Sequence, residues 1–267
     1  MLFSVFNNEN NISIEIANDI FERLSDAGWI HDEIEPDYLF IVGGDGTLLK
    51  AIQSLRDIID KVKVITINGG NLGIFSLFND DNYITAVDDV LAGNYETKKI
   101  SLLEVNVPHK ETLYCLNEIK VINNERPISF SMNINGQFLQ NFRGTGISVS
   151  TSWGSTGVNK SLGGAIILDE INNLWQIVEM APINNKLFST LNSPLIFSYQ
   201  HKLELKNINH NNVNLVIDAQ TYSLDQSSLT IAPSTSKLRL VTNKHCSKNS
   251  FVQIVNQKVL NNNNSFK

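Results

Sequence analysis

Along the first hundred residues, apolar runs typical of buried strands alternate with segments that have helical periodicity. Residues 2–6, 38–42 and 62–67 form short, mostly apolar runs, which are typical of strands in a parallel sheet. Residues 12–27 repeat an apolar side chain every fourth position, and residues 47–55 group theirs on one side, so both segments are predicted to be helices. This alternation predicts an α/β domain with an open, mostly parallel sheet.

Beyond residue 100 the pattern changes to short strand-like runs separated by Asn, Gly, Pro or Ser. An Asn135-Gly136 pair between two such runs indicates a hairpin. The many short runs predict a second domain that is mostly β. The predicted strands are 101–108, 112–123, 130–134, 137–142, 147–151, 195–199, 203–205, 214–217 and 238–241.

The change in pattern places the domain boundary near residues 93–99. We therefore expect an α/β domain over residues 1–99 and a β-rich domain over residues 100–247. Apolar positions after residue 250 are compatible with a last helix, followed by a polar tail at 261–267. We expect that C-terminal helix, within residues 248–267, to pack back on the N-terminal domain.

The composition and charge of the chain argue against several classes of protein. Hydrophobic residues make up 42% of the 267 residues and charged residues 18%, which is enough apolar material for a packed core. The net charge of −6 argues against a dedicated binder of nucleic acids or anionic membranes. No apolar run is long enough to cross a bilayer, and the first residues do not look like a signal peptide, so we expect a cytoplasmic protein. The two cysteines, Cys115 and Cys246, are too few for a disulfide framework or a zinc site.

The most specific local signal is the run Gly43-Gly44-Asp45-Gly46-Thr47 at the end of a predicted strand. Glycines let backbone N–H groups approach a ligand closely, and Thr47 can cap the helix that follows, whose amino end favours anions. A carboxylate in a turn that binds phosphate is unfavourable unless it serves a metal or a hydroxyl that must lose its proton. We interpret the run as a phosphoryl-transfer loop with Asp45 as its chemical group; the alternative is a turn in which Asp45 bonds only its own loop.

Three further elements are weaker alone. The loop 68–75 follows the next predicted strand, and neighbouring parallel strands would place it beside the first loop in one cleft; alone it is also compatible with a plain turn. Asn117-Glu118 combines an amide and a carboxylate, which can hold two hydroxyls of a ribose. Residues 142–157 are rich in Gly, Ser and Thr, as expected of a loop that binds phosphates or sugars, or of an ordinary surface loop.

Together, in this order and spacing, these elements resemble the NAD kinase family over most of the chain. The matching segments are residues 43–47, 68–75, 117–118, Gly146 with Ser150-Thr151, Gly154-Ser155-Thr156 and residues 163–166. A GGDGT run alone also occurs in diacylglycerol and sphingolipid kinases, but the Asn-Glu pair and the Gly-Ser-Thr segment are expected only in NAD kinases. The family fold, an α/β domain followed by a β-rich dinucleotide-binding domain, agrees with the pattern above.

The resemblance implies transfer of a phosphoryl group to the 2′-hydroxyl of the adenosine ribose of NAD, which gives NADP. It implies that Asp45 accepts the hydrogen bond and proton of that hydroxyl, and that Gly43, Gly44, Gly46 and Thr47 bind the donor phosphates. ATP is the implied donor, with Mg²⁺ or another divalent cation held through its phosphates rather than by a set of protein ligands. The implied NAD-binding residues are Asn68, Phe75, Asn117, Glu118, Arg143, Thr145, Thr156, Gly157, Val158, Asn159, Ser161, Ala181 and Asn184.

Two positions depart from the family pattern. Thr145 stands where the family usually has Asp, and Gly157-Val158 stands where it usually has Ala-Tyr. The first change removes a charge and the second an aromatic face for stacking, worth on the order of 1 kcal/mol. Both are expected to weaken dinucleotide binding while leaving the GGDGT loop intact.

The departures leave a catalytically weakened NAD(P)-binding sensor as an alternative, and the shared loop leaves a lipid kinase as another. A lipid kinase would need an apolar groove and a basic surface that faces the membrane, which the net charge does not favour. The resemblance also implies a homodimer or homotetramer, with sites completed by a neighbouring subunit. It leaves open whether ATP or polyphosphate is the donor and whether NAD or NADH is preferred.

Overall fold

The computed structural model describes residues 1–69, 74–76, 78–168, 173–209, 212–242 and 255. The chain divides into two compact units. Unit 1 contains Met1–Ile100 and the described residues from Ser236 onward, and unit 2 contains Ser101–Thr235. Apart from Val255, which is helical and buried, the segment predicted as the C-terminal helix lies outside the described residues.

The helices and strands are numbered in chain order. Those that begin in unit 1 are β1 (Leu2–Asn7), α1 (Asn11–Asp26), β2 (Ile30–His31), β3 (Tyr38–Val42), α2 (Asp45–Ser54), β4 (Lys63–Asn68), β5 (Phe78–Asn79), α3 (Tyr83–Leu91) and β6 (Glu96–Asn106). Those that begin in unit 2 are β7 (Leu113–Cys115), β8 (Glu118–Ile122), β9 (Ile128–Ile134), β10 (Gln137–Gly144), β11 (Gly146–Thr151), a 3₁₀ turn (Gly154–Thr156), α4 (Val158–Ser161), β12 (Leu174–Met180), β13 (Leu195–Ser198), β14 (Leu203–Lys206), β15 (Val213–Ile217), β16 (Gln220–Leu224) and β17 (Leu229–Thr242).

Unit 1 is an α/β layer structure around a parallel sheet. Its strands follow the order β17-β4-β3-β1-β2, and every pair in that order is parallel. Helices α1 and α3 share one apolar cluster with alternate strand residues such as Phe3, Phe40 and Ile65. The intervening residues of β3, Leu39 and Ile41, are buried on the opposite face, because successive side chains of a strand alternate.

The α/β prediction for the first hundred residues is confirmed, with local differences. The repeat of apolar residues does form α1, capped by Asn10, whose side chain accepts a hydrogen bond from Ile12 N. Of the predicted row, Ile16, Ile20 and Leu24 are buried and Ile12 is exposed. The short helix α3 was missed.

Unit 2 is built from antiparallel strands. One sheet has the order β13-β12-β11-β8-β15-β16, and β9 pairs with β10 and β14 in the other. A single apolar cluster fills the unit, with Phe130, Phe142 and Trp175 among its large buried side chains. The mostly β prediction is confirmed, and so is the hairpin, because Asn135 and Gly136 both have positive φ between β9 and β10.

Several predicted strands differ from those in the structure. The run 112–123 is two strands, β7 and β8, separated by Leu116 and Asn117. β12 and β16 were missed, and 238–241 is only the end of the long β17. Among the helices that the structure describes, none is long and apolar enough to span a membrane.

Candidate active site

One candidate site lies in unit 1, where the parallel strands β1, β3 and β4 end. Gly43 N donates to Ile67 O at 2.8 Å and Asn8 N donates to Val42 O at 3.2 Å, so the three loops are tied together by their backbones. Ligands of open α/β sheets bind at this edge, where helices leave towards opposite faces. The prediction that the first two glycine-rich loops are neighbours agrees with these bonds.

Gly43 has a structural role in this loop. Its φ is +149°, and a Cβ there would overlap Thr47 Oγ1 and lie 2.9 Å from Asn8 Nδ2. The predicted cap by Thr47 is wrong. α2 begins at Asp45 with Gly44 as N-cap, no side chain caps it, and Thr47 is a buried residue of the first turn. The helix starts two residues earlier than predicted because the glycine turn itself directs the chain into it.

Gly44 and Gly46 differ from Gly43. Both have negative φ, and a Cβ at either position would meet no atom of the described protein within 4 Å. Neither glycine is therefore required by the packing of the described residues. Both lie at the amino end of α2, where free N–H groups and the helix dipole attract anions.

Asp45 is held by backbone groups of another loop. Its Oδ2 accepts a hydrogen bond from Ile74 N at 2.6 Å, and its Oδ1 accepts one from Phe75 N at 3.1 Å. The residue is half-buried. These two bonds fix the plane of the carboxylate, and each oxygen keeps a lone pair for a further donor. Asp45 therefore does more than bond its own turn.

The second predicted loop is partly described. Asn68 ends β4 and is buried, and Phe75 is buried with its carbonyl oxygen 2.6 Å from Thr66 Oγ1. Residues 70–73 of the predicted loop lie outside the described residues. Asn68 and Phe75 therefore lie in the same candidate site as Asp45, where the strands end. The backbone N–H of Phe75 donates to the Asp45 carboxylate.

A second candidate site lies in unit 2, at the gap between β7 and β8. Here Asp218 accepts hydrogen bonds from three successive backbone N–H groups, those of Leu116, Asn117 and Glu118, at 2.8–3.1 Å. Cys115 Sγ donates to the same carboxylate at 3.3 Å. The dipeptide that was predicted to bind a ribose is thus fixed by a residue about a hundred positions further along the chain.

Glu118 is a buried carboxyl beside Asp218. Burial raises its pKa to about 7, the charge of Asp218 adds to the rise, and Lys120 opposes it. Lys120 Nζ lies 3.8 Å from Glu118 Oε1, close enough for an ion pair. Glu118 therefore changes its charge near neutral pH.

The side-chain amide oxygen of Asn117 has no hydrogen-bond donor among the described residues. This atom, Oδ1, is buried. The backbone carbonyl of Asn117 accepts from Thr151 N at 2.9 Å, and a Cβ on Gly154 would overlap it. Gly154 thus lets the Gly-Ser-Thr turn pack directly on Asn117.

The predicted residues of the following segment lie beside that dipeptide. A Cβ on Gly157 would come within 3.7 Å of Glu118 Oε2. Thr156 is half-buried and donates to Trp153 O at 3.2 Å, whereas Val158 and Ser161 are exposed. Asn159 is fully buried, and no described residue donates to its Oδ1.

A second group of predicted residues lies at the other end of β11. The register pairs Ser150 with Glu118 and Gly146 with Ile122, so Thr145 lies roughly 17 Å along the strand from Ser150. Near Thr145 are the other members, Arg143, Ala181 and Asn184, all exposed. Arg143 lies over the Phe188 ring, and Asn184 Oδ1 accepts from Thr190 N. The structure does not bring this group together with Asn117 and Glu118.

Two residues, one in each of these sites, were missed in the sequence. Asn8 follows β1 at the same edge as the glycine loop, and only the rule that strand ends meet could have indicated it. Asp218 has no motif. Its left-handed φ of +50° in a two-residue hairpin turn suits Asp, but the sequence does not show which backbone it bonds.

The described residues contain no group of three or more His, Cys, Asp or Glu side chains that could hold a metal ion by themselves. A carboxylate fixed at a glycine-lined helix terminus, in an α/β unit followed by a β-rich unit, is an arrangement for transferring phosphoryl groups. The fold and these sites define the class of the protein as a two-unit kinase.

Comparison with known proteins identifies the family. The model of the ATP-NAD kinase N-terminal domain matches residues 30–95, and that of the ATP-NAD kinase C-terminal domain matches residues 115–243. NAD kinase 1 of Bacillus cereus (strain ZK / E33L) is 34% identical over 226 residues, which are 83% of this chain and 85% of the relative. NAD kinase of Geobacillus stearothermophilus is 33% identical over 223 residues, 82% of each chain. The chain belongs to the ATP-NAD kinase family.

Solved structures agree on the fold. Yeast NADH kinase complexed with NADH superimposes with a TM-score of 0.81 at 18% identity, over 100% of this chain and 89% of the other. An NAD kinase from Archaeoglobus fulgidus in complex with ATP gives a TM-score of 0.73 at 20% identity, over 95% and 98%. At such identities the likeness supports the architecture, not the roles of individual residues.

Proposed function

We propose that the protein is a NAD kinase that transfers the γ-phosphoryl group of ATP to the 2′-hydroxyl of the adenosine ribose of NAD, giving NADP and ADP. Family membership supports the reaction class. The observation that carries the proposal is the Asp45 carboxylate, fixed by two backbone N–H groups at the first residue of α2. Phosphoryl transfer depends mainly on positioning and on stabilisation of charge, and the site offers both.

Gly44 and Gly46 would bind the phosphates of the donor. The space beside both glycines contains no atom of the described protein, and the amino end of α2 attracts anions. A divalent cation, Mg²⁺ in our proposal, would be held by the donor phosphates, because the described residues have no metal-binding cluster of their own. When bound, it would neutralise part of the phosphate charge.

Asp45 would orient the attacking hydroxyl. As the new O–P bond forms and the bond to ADP breaks, the proton of the 2′-hydroxyl passes to a carboxylate oxygen of Asp45. We assign the larger contribution of Asp45 to orientation of the hydroxyl rather than to early proton removal. The bonds from Ile74 N and Phe75 N provide that orientation before the substrate binds.

Asn117 and Glu118 would bind NAD. The buried Asn117 Oδ1 accepts no hydrogen bond from the described residues, and such an atom is costly unless a ligand donates to it. In its ionised form Glu118 can accept hydrogen bonds from two ribose hydroxyls. We propose that Thr156, Gly157, Val158, Asn159 and Ser161 contact the same dinucleotide.

The group around Thr145 would complete the site of a neighbouring subunit in a homodimer or homotetramer. The support is the distance of roughly 17 Å along β11, which separates Thr145 from the Asn117-Glu118 end of the same strand. The cytoplasm is the location in which we propose that the enzyme acts. ATP is the preferred donor in this proposal, as in the name of the family.

One assay tests the proposal. Purified protein with Mg²⁺ is given NAD or NADH together with ATP or polyphosphate, and NADP and NADPH are quantified. A parallel reaction contains diacylglycerol vesicles. Formation of NADP supports the proposal, phosphorylated lipid without NADP would identify a lipid kinase, and NAD binding without turnover would identify a sensor.

A further inference from the structure

Asp218 is a buried carboxylate to which the reaction described above gives no task. It occupies the two-residue turn between β15 and β16, where Ile217 pairs with Gln220. Only 7% of the residue is exposed. A charged group so deeply buried is costly unless many donors converge on it, so its partners indicate what it stabilises.

All the described donors to Asp218 come from one segment of four residues. Its Oδ2 accepts from Leu116 N at 2.9 Å, and its Oδ1 accepts from Asn117 N at 2.8 Å and Glu118 N at 3.1 Å. Cys115 Sγ adds a fourth bond. In the other direction, Asp218 N donates to Glu118 O at 2.9 Å. Hydrogen bonds in both directions therefore connect the turn between β15 and β16 with the Asn117-Glu118 dipeptide.

These bonds require a backbone that is not a regular strand. In a strand, successive N–H groups point alternately to the two neighbours, whereas those of residues 116–118 converge on one carboxylate. The strand predicted over 112–123 is interrupted at this point. Because of the interruption, β8 begins at Glu118 and Asn117 lies outside the ladder, with a side-chain Oδ1 to which no described residue donates a hydrogen bond.

We propose that Asp218 is a positioning residue for dinucleotide binding: its carboxylate shapes the backbone of residues 116–118, so that Asn117 and Glu118 are presented to the ribose. This proposal rests on the function proposed above for those two side chains. Asp218 touches neither substrate nor the reacting atoms.

A measurable consequence follows from the charges around Glu118. Among the described residues, the charged groups that act on its carboxyl are Asp218 in the hairpin turn, whose own pKa is raised by burial, and Lys120 on its own strand. Cys115 on β7 donates a hydrogen bond to Asp218. Burial raises the pKa of the Cys115 thiol, so it is an uncharged donor near neutral pH. Asp218 raises the pKa of Glu118 and Lys120 lowers it. Loss of the Asp218 charge should therefore lower the pKa of Glu118.

The test compares Asp218→Asn with Asp225→Asn in the full-length enzyme. Asp225 is an exposed partner of Lys110, just beyond β16, and it receives the same chemical change. For Asp218→Asn we expect the KM for NAD to rise at least ~tenfold, as for loss of a hydrogen bond to a charged group, with little change in the KM for ATP. The pH midpoint of kcat/KM for NAD should move below that of the wild type. Asp225→Asn should change neither quantity.

If Asp218 had a merely structural role, Asp218→Asn would lower the activity without moving the pH midpoint of kcat/KM for NAD. An unchanged KM for NAD together with an unchanged midpoint in folded Asp218→Asn would overturn the proposal. A wild-type enzyme that makes no NADP would instead remove the proposed function, so the two failures are distinguishable.

If Asp218→Asn does not fold, the wild-type enzyme supplies the decisive measurement. Hydrogen exchange resolved to single amides should show Leu116, Asn117 and Glu118 protected like the amides of the β8 ladder. Exchange of these three amides at the rate of an exposed loop would show that Asp218 does not hold them, and would overturn the proposal.

Discussion

The two candidate sites, one in each unit, are built in opposite ways. In unit 1, the glycine turn after β3 leads directly into α2 and places Asp45 at its first residue, and a neighbouring loop donates two hydrogen bonds to the carboxylate. In unit 2, the Asn117-Glu118 dipeptide has no such local frame and is fixed by Asp218, on a hairpin a hundred residues away. A motif of the first kind carries its own geometry, whereas one of the second kind depends on the fold around it.

The largest effect should come from the site in unit 1. Asp45→Asn keeps the size of the side chain but places an NH₂ group where one oxygen now accepts a backbone N–H. We expect kcat to fall at least ~100-fold, the lower range for a positioned proton acceptor. The measurement is NADP formation under saturating NAD and ATP, and thermal unfolding should show that the variant is folded. Unchanged turnover would remove Asp45 from the mechanism.

Two glycines of the same turn should differ in their effects, because Gly46 is assigned to ATP binding and Gly43 to stability. Gly46→Ala adds a methyl group in space free of described protein atoms, so its melting temperature should match that of the wild type. Its KM for ATP should rise roughly tenfold, the cost of about one charge-assisted hydrogen bond.

Gly43→Ala is the matched contrast. Its positive φ and the overlap with Thr47 Oγ1 should reduce the free energy of unfolding by about 1–3 kcal/mol. Thermal unfolding of the two variants side by side tests this difference. Equal destabilisation of both would contradict the assignment of Gly46 to the donor phosphates.

The site in unit 2 should show itself in the pH dependence of NAD use. If only ionised Glu118 binds the ribose hydroxyls, kcat/KM for NAD should rise with pH through a midpoint near its pKa of about 7. Below the midpoint we expect roughly a tenfold loss per pH unit. Glu118→Gln should lose this pH dependence. A midpoint that persists in the variant would assign the titration to another group.

The same raised pKa predicts a cost in stability. In the unfolded chain Glu118 titrates near 4.5, so between about pH 4.5 and 7 the folded state binds more protons, and the free energy of unfolding falls as pH rises. Glu118→Gln removes this dependence. At pH 8 the variant should therefore be more stable than the wild type by up to about 3 kcal/mol, and at pH 5 the gain should be small. Denaturant unfolding at both pH values measures the difference.

The smallest effect concerns the far end of β11. Thr145→Asp restores the charge that the family usually carries there, and on a half-exposed residue a new charge contributes about 1 kcal/mol at most. We expect the KM for NAD to fall by about threefold, with kcat unchanged. Titration of NAD at constant ATP measures the KM for NAD. A rise in that KM would contradict the prediction and would show that this enzyme binds NAD better with Thr145 than with a negative charge at the same position.

What the sequence could predict follows the same division. The strand 38–42 and the turn after it were predictable, because an apolar run followed by glycines specifies its conformation locally. The cap by Thr47 was predicted wrongly, because the alternative start at Asp45 is decided by the backbone of the turn. The break at residues 116–117 was not predictable, since it depends on a carboxylate whose position is set by the pairing of β15 with β8.

The central claim is that Asp45 faces the hydroxyl that is phosphorylated. A crystal structure of Asp45→Asn in complex with NAD and ATP tests it directly, because the slow variant should retain both substrates. The account predicts that the 2′-hydroxyl of the adenosine ribose lies within hydrogen-bond distance, about 2.6–3.2 Å, of the side chain at position 45. A ribose bound with that hydroxyl directed elsewhere would contradict it.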